Sequence, residues 1–104
     1  MSEILIKNYI NGNVAISYDD GKKCLNEILK CLKSNEPLIL NFDGVEYVIT
    51  AFLNPIIGDL IIENGKDVMK SISIVNANEN ILDKIKLVKD GALLKREDLY
   101  EWYF

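Results

Sequence analysis

A chain of 104 residues that is 49% hydrophobic and 27% charged can bury one core but not two, so a single domain over residues 1–104 is expected. The formal net charge is −4 and the twelve Lys and Arg residues are scattered, which removes the basic stripe that nucleic-acid binding requires. There is no histidine, so zinc sites of Cys and His and catalytic pairs of the Ser-His or Cys-His kind are excluded.

The apolar runs EILIKNYI (3–10) and NVAIS (13–17) flank Asn11-Gly12, a pair suited to a tight turn, and predict an opening antiparallel hairpin. From about Asp20 to Ser34, Leu25, Ile28, Leu29 and Leu32 recur at helical spacing opposite a lysine-rich face, predicting an amphipathic helix on a sheet. Cys24 and Cys31 share that helix but lie about two turns apart, too far for a disulfide, and are expected as reduced core or boundary thiols. Pro37 opens LILNF, whose continuous apolar character predicts a central strand covered on both faces. A second helix is predicted from Thr50 or Asn54 to Asn64, with Gly65 as its stop. Pro55 leaves two readings open: a helix that begins near Asn54, or one whose first turn is distorted. Residues 71–76, SISIVN, predict the next strand. Asn78 then caps a third helix with Ile81, Ile85, Val88 and Ala92 on one stripe.

The fold class expected is therefore α/β: a small mixed sheet, an antiparallel hairpin followed by parallel strands, with helices packed on it. No apolar run reaches the roughly 18 residues of a membrane span, and Met1-Ser2-Glu3 does not open a signal peptide. A cytoplasmic protein with no membrane partner is expected.

Within this order, LILNFDGVEYVITAFLNPIIGDL resembles the signature of STAS domains, the fold of anti-sigma-factor antagonists, and more closely a bacterial STAS-like family of unknown function. Asn41, Phe42, Asp43, Gly44 and Val45 stand at the strand end, and Ile49, Thr50, Ala51 and Phe52 at the helix start. ISIVNANENIL resembles the following strand, turn and helix, so the likeness spans roughly residues 14–90. It implies a regulatory module that binds a partner protein, often a kinase-type ATPase, and is switched by phosphorylation at the start of the second helix. Ala51 stands where the antagonists carry the phosphorylated serine and Ile49 where they carry an aspartate. Thr50 alone keeps a hydroxyl. The partner-binding residues implied are Asp43, Gly44, Thr50, Ala51, Phe52 and Asn54.

Each of these residues also has a plainer role. Thr50 is a candidate phosphoacceptor, but a threonine before an apolar helix more often caps it. Asp43 fits an Asx turn before Gly44 better than a catalytic carboxylate. Asp59 and Glu63, four apart on a helix, fit a solvated edge better than a cation site. No catalytic residues, no metal and no cofactor are expected. Tyr100, Trp102, Tyr103 and Phe104 place four aromatics in five residues; they are expected to dock on their own domain or to form an interface, so the chain is a monomer or a homodimer. The leading expectation is a non-enzymatic STAS-like regulator. The alternative is a small acidic phage-type inhibitor that blocks a host or defence enzyme.

Overall fold

The computed structural model describes residues 2–101, the side chains of residues 66 and 96–101 excepted. The chain forms strand β1 (Ser2–Leu5), a 3-10 turn (Ile6–Tyr9), β2 (Val14–Ala15), helix α1 (Tyr18–Lys33), β3 (Leu38–Asn41) and β4 (Tyr47–Val48). It continues through α2 (Thr50–Leu53), a π-helical stretch (Asn54–Asp59), α3 (Leu60–Asn64), a second 3-10 turn (Lys66–Ser71), β5 (Ile72–Val75) and α4 (Glu79–Glu101).

Three strands form a sheet in the order β1-β3-β5, and β2 and β4 form a separate pair. Every pairing is parallel: Ser2 lies beside Leu38, Leu38 beside Ile72, and Val14 beside Tyr47. The antiparallel opening hairpin does not form. Asn11-Gly12 still turns, with Gly12 at φ +72°, but the chain has already left the extended state at Ile6. That 3-10 turn sinks Ile6 into the core, while pairing of β1 with β3 sets Ile4 beside Leu40, both buried. The hairpin would have left this apolar row without the third strand and the helices that cover it.

β3 is central, but it is covered on one face only. Ile4, Leu38, Leu40 and Ile72 lie on the buried face. Glu3, Leu5, Ile39, Asn41, Ser73 and Val75 alternate onto the other face, where all are exposed or half-exposed. The continuous apolar run of LILNF comes from Ile39, which is half-buried on the open side, rather than from a second helical layer.

The helices start where their caps allow. Ser17 Oγ accepts the N–H of Asp20 at 3.3 Å, and Asp19 and Asp20 sit in the first turn of α1 with Lys30 and Lys33 in its last, matching the helix dipole. Gly21, Cys24, Leu25 and Ile28 are its buried face. Asn78 caps α4 as expected, its Oδ1 accepting the Ile81 N–H at 2.9 Å, while its Nδ2 donates to the Glu46 carbonyl at 3.1 Å. Lys84 ties α4 to β4: its Nζ donates to the Val48 carbonyl at 2.7 Å and lies 3.8 Å from the centre of the Tyr47 ring. No described helix is long and apolar enough to cross a membrane.

Both thiols are free, Cys24 buried and Cys31 half-buried. Burial, and second the nearby Glu27 carboxylate, push the Cys24 thiol up to about 12. A thiol-alkylating reagent at neutral pH is therefore expected to modify Cys31 and to spare Cys24 until the chain unfolds, which peptide mass spectrometry would resolve. Equal labelling of both in the native protein would show the α1 face to be open. The unfolded chain ionises this thiol near its ordinary value of about 8.5, so the stabilisation it gives is complete below that pH and is lost as pH rises towards 12.

Candidate functional site

The loop after β3 is organised by Asn41. Its Oδ1 accepts the Asp43 N–H at 2.9 Å and the Asn76 Nδ2–H at 3.0 Å, and its Nδ2 donates to Glu3 Oε2 at 3.2 Å. The Asx turn expected of Asp43 is thus made two residues earlier, because Asn41 ends a central strand and can reach strand β1 on one side and the loop after β5 on the other. The Asp43 side chain is exposed. Gly44 takes φ +79°, and a Cβ there would also meet Lys7 Cδ at 2.9 Å.

The next corner begins at Ile49, which is extended at φ −114° and ψ 161°; its carbonyl accepts the N–H groups of Phe52 and Leu53. The cap expected at Thr50 is not made. Thr50 is already the first helical residue, one position too late for its hydroxyl to cap, and Ile49 has no acceptor to replace it. Thr50 itself is exposed.

The helix runs through Pro55 rather than starting at it. Without an N–H, Pro55 cannot bond to the carbonyl four residues back, and the backbone widens into the π-helical stretch Asn54–Asp59. This stretch is buried through Pro55, Ile56, Ile57 and Gly58. Two glycines let other helices approach it. A Cβ on Gly21 would collide with the Phe52 carbonyl oxygen and lie 2.7 Å from Pro55 Cγ, and one on Gly58 would lie 3.3 Å from Val88 Cγ1.

Beside that contact the surface opens into a groove of about 490 Å³ between the Thr50–Ile62 helical segment and α4. Gly58, Val88 and Ala92 belong to its buried lining, while Thr50, Asn54, Tyr18 and Leu87 are exposed around it; Asp59 and Lys95 are charged lining residues. Tyr18 is 46% exposed and Leu87 65%, large values for an aromatic and a leucine.

The structure therefore divides the residues expected to share one site. Thr50 and Asn54 meet in the groove, Asp43 and Gly44 lie on the β3 loop outside its lining, and Ala51 is half-buried. Phe52 is fully buried and cannot touch a partner. Tyr18, Gly58, Leu87 and Gly91 were not anticipated as lining. Leu87 and Leu94 carry the one available signal, two leucines seven apart that fall off the Ile81, Ile85, Val88, Ala92 stripe. Trp102, Tyr103 and Phe104 lie outside the described residues, as does the Tyr100 side chain. Among the described residues, no cluster of three His, Cys, Asp or Glu side chains is placed to hold a metal.

Residues 20–82, from α1 through the β3 loop and the Thr50 corner to the start of α4, match the STAS-like domain of unknown function (DUF4325). The chain belongs to this family. The match covers α1 to the start of α4, so the STAS-like part contains the β3 loop, the π-helical stretch and one wall of the groove. Leu87 to Lys95, the other wall, lie beyond it. No curated protein and no solved structure matches the chain.

Proposed function

We propose that this STAS-like domain is a non-enzymatic regulatory module that binds a partner protein at the groove mouth around Thr50 and Asn54. The observation that carries the reading is the exposure of Tyr18 and Leu87 beside those two residues, over a buried apolar floor. An exposed aromatic and aliphatic pair at the rim of a preformed groove is the arrangement that anchors a partner's helix or loop.

The partner proposed, from the likeness to anti-sigma-factor antagonists, is a kinase-type ATPase or an anti-sigma-like protein. The hydroxyl of Thr50, an exposed residue, is the candidate phosphoacceptor. A phosphate there would add about −1.5 to −2 charges at the groove mouth, repelling an acidic docking surface and costing desolvation against an apolar one.

Affinity capture from the native host tests the reading. The unmodified chain is expected to retain one such partner, and Thr50→Glu and Leu87→Glu are each expected to lose it with an unchanged melting temperature, since both positions are exposed. Retention by both variants would place the binding surface elsewhere. Capture of a nuclease instead would favour the acidic-inhibitor alternative.

A further inference from the structure

We infer that Asn11, in the turn Asn11-Gly12, is a site of spontaneous covalent modification, converting through a cyclic imide to aspartate and isoaspartate, and that the isoaspartate form loosens the β2–β4 pair. This does not rest on the partner reading above.

The chain holds two Asn-Gly pairs, Asn11-Gly12 and Asn64-Gly65. The dipeptide favours imide closure because glycine has no side chain to shield its nitrogen and turns readily towards the preceding amide. Both glycines take positive φ, +72° and +91°, and both asparagines are exposed. Hydrogen bonding separates the two. The Gly65 N–H donates to the Ile61 carbonyl at 2.8 Å and Asn64 Nδ2 donates to the Leu60 carbonyl at 2.9 Å, so the end of α3 occupies both the nucleophile and the leaving group. The Gly12 N–H and the Asn11 side-chain amide have no hydrogen-bonding partner among the described residues. Asn11 is therefore free to react where Asn64 is held.

Water is the only co-reactant. The Gly12 nitrogen gives up its proton and attacks Asn11 Cγ; the N–Cγ bond forms, the Cγ–Nδ2 bond breaks, and Nδ2 leaves as ammonia with that proton. Water then opens the ring. Cleavage of the new N–Cγ bond leaves aspartate, whereas cleavage at the Asn11 backbone carbonyl leaves isoaspartate, with the chain now routed through Cγ. Either product adds a negative charge to a chain already at −4, but only isoaspartate lengthens the backbone.

The lengthened turn leads directly into β2. The Asn13 carbonyl accepts the Glu46 N–H at 2.8 Å, and the Ala15 carbonyl accepts that of Ile49 at 3.0 Å. Only Val14 and Ala15 pair with Tyr47 and Val48, so a displaced register has little else to restore it. Ile49 in turn begins the Thr50 corner, to which the disturbance passes.

Timed incubation of the folded full chain in neutral buffer, followed by digestion and peptide mass spectrometry, tests this. The peptide bearing Asn11 is expected to gain the mass of an amide-to-acid exchange and to split chromatographically into two products. Asn64, which must first release both hydrogen bonds, is expected to convert at least about tenfold more slowly. In concentrated urea that gap is expected to close, because the two dipeptides are chemically alike. Equal rates in the folded chain overturn the inference, and so does a gap that urea leaves unchanged. In the separated isoaspartate product, amide hydrogen exchange at Glu46 and Ile49 is expected to quicken by about tenfold. Asn11→Asp, which adds the charge without the longer backbone, is expected to match the unmodified chain. Unchanged exchange in the isoaspartate form overturns the loosening of β2 and β4, and an equal loss of protection in Asn11→Asp overturns backbone length as its cause.

Discussion

Replacing Phe52 with alanine is expected to destabilise the domain by about 3–5 kcal/mol. The ring is fully buried on α2, which packs against both α1 and α4, and its backbone carbonyl faces Gly21. Removing it takes away apolar burial and leaves a cavity that neither helix can fill without moving. Against a total stability of about 5–15 kcal/mol, that loss lowers the melting temperature by roughly 15 °C or more. Thermal unfolding followed by circular dichroism gives the number. A shift of only a few degrees, with partner capture abolished, would contradict the buried position and return Phe52 to the binding surface. The expected pattern is the reverse: capture falls only as far as the folded fraction falls.

Gly21→Ala is expected to cost up to about 2 kcal/mol, although alanine is the better helix former. In a helix interior the exchange would by itself stabilise by about 1 kcal/mol. Here the added methyl meets the Phe52 carbonyl and Pro55 Cγ, and backbone cannot swing aside as a flexible side chain does. Overpacking of this kind typically costs 1–3 kcal/mol and must first cancel the propensity gain. Gly91→Ala is the internal control. It lies in α4 with nothing within 4 Å of the new Cβ, so it should raise the melting temperature slightly. If the two variants melt alike, the close approach of α1 to the π-helical stretch is not what Gly21 provides.

Elements governed by local chemistry were legible in the sequence. The face of α1, the Asn78 cap and the Asn64-Gly65 stop follow from side chains within a few residues of each other. What was not legible depended on partners distant in the chain. Asn11-Gly12 specifies a turn, but whether the strands beside it pair depends on β3 and β4, which claim them instead. Asn41 and Asp43 are equally suited to an Asx turn, and the choice is made by Glu3 and Asn76, which hold Asn41 from either side. Pro55 announced a distortion; that it would widen the helix rather than delay its start follows from the burial of Pro55, Ile56 and Ile57. The groove was hidden for a further reason: its exposed residues, Tyr18 and Leu87, fall outside the apolar stripes by which helices are recognised.

The all-parallel pairing also bears on how quickly the domain assembles. The three strand pairs join residues far apart in sequence, Ser2 with Leu38, Val14 with Tyr47 and Leu38 with Ile72. A hairpin would have offered a contact that closes within microseconds; here no strand finds its neighbour until more than thirty intervening residues have been gathered in. The loop-closure entropy of each pairing comes due before the sheet returns any stability. Helices α1 and α4 can flicker into existence unaided, whereas β1, only four residues long, has nothing to pair with until β3 is in place. The sheet thus sets the pace of folding, and during synthesis β1 and β2 emerge before β3, β4 and β5 and wait unpaired for partners still to be made.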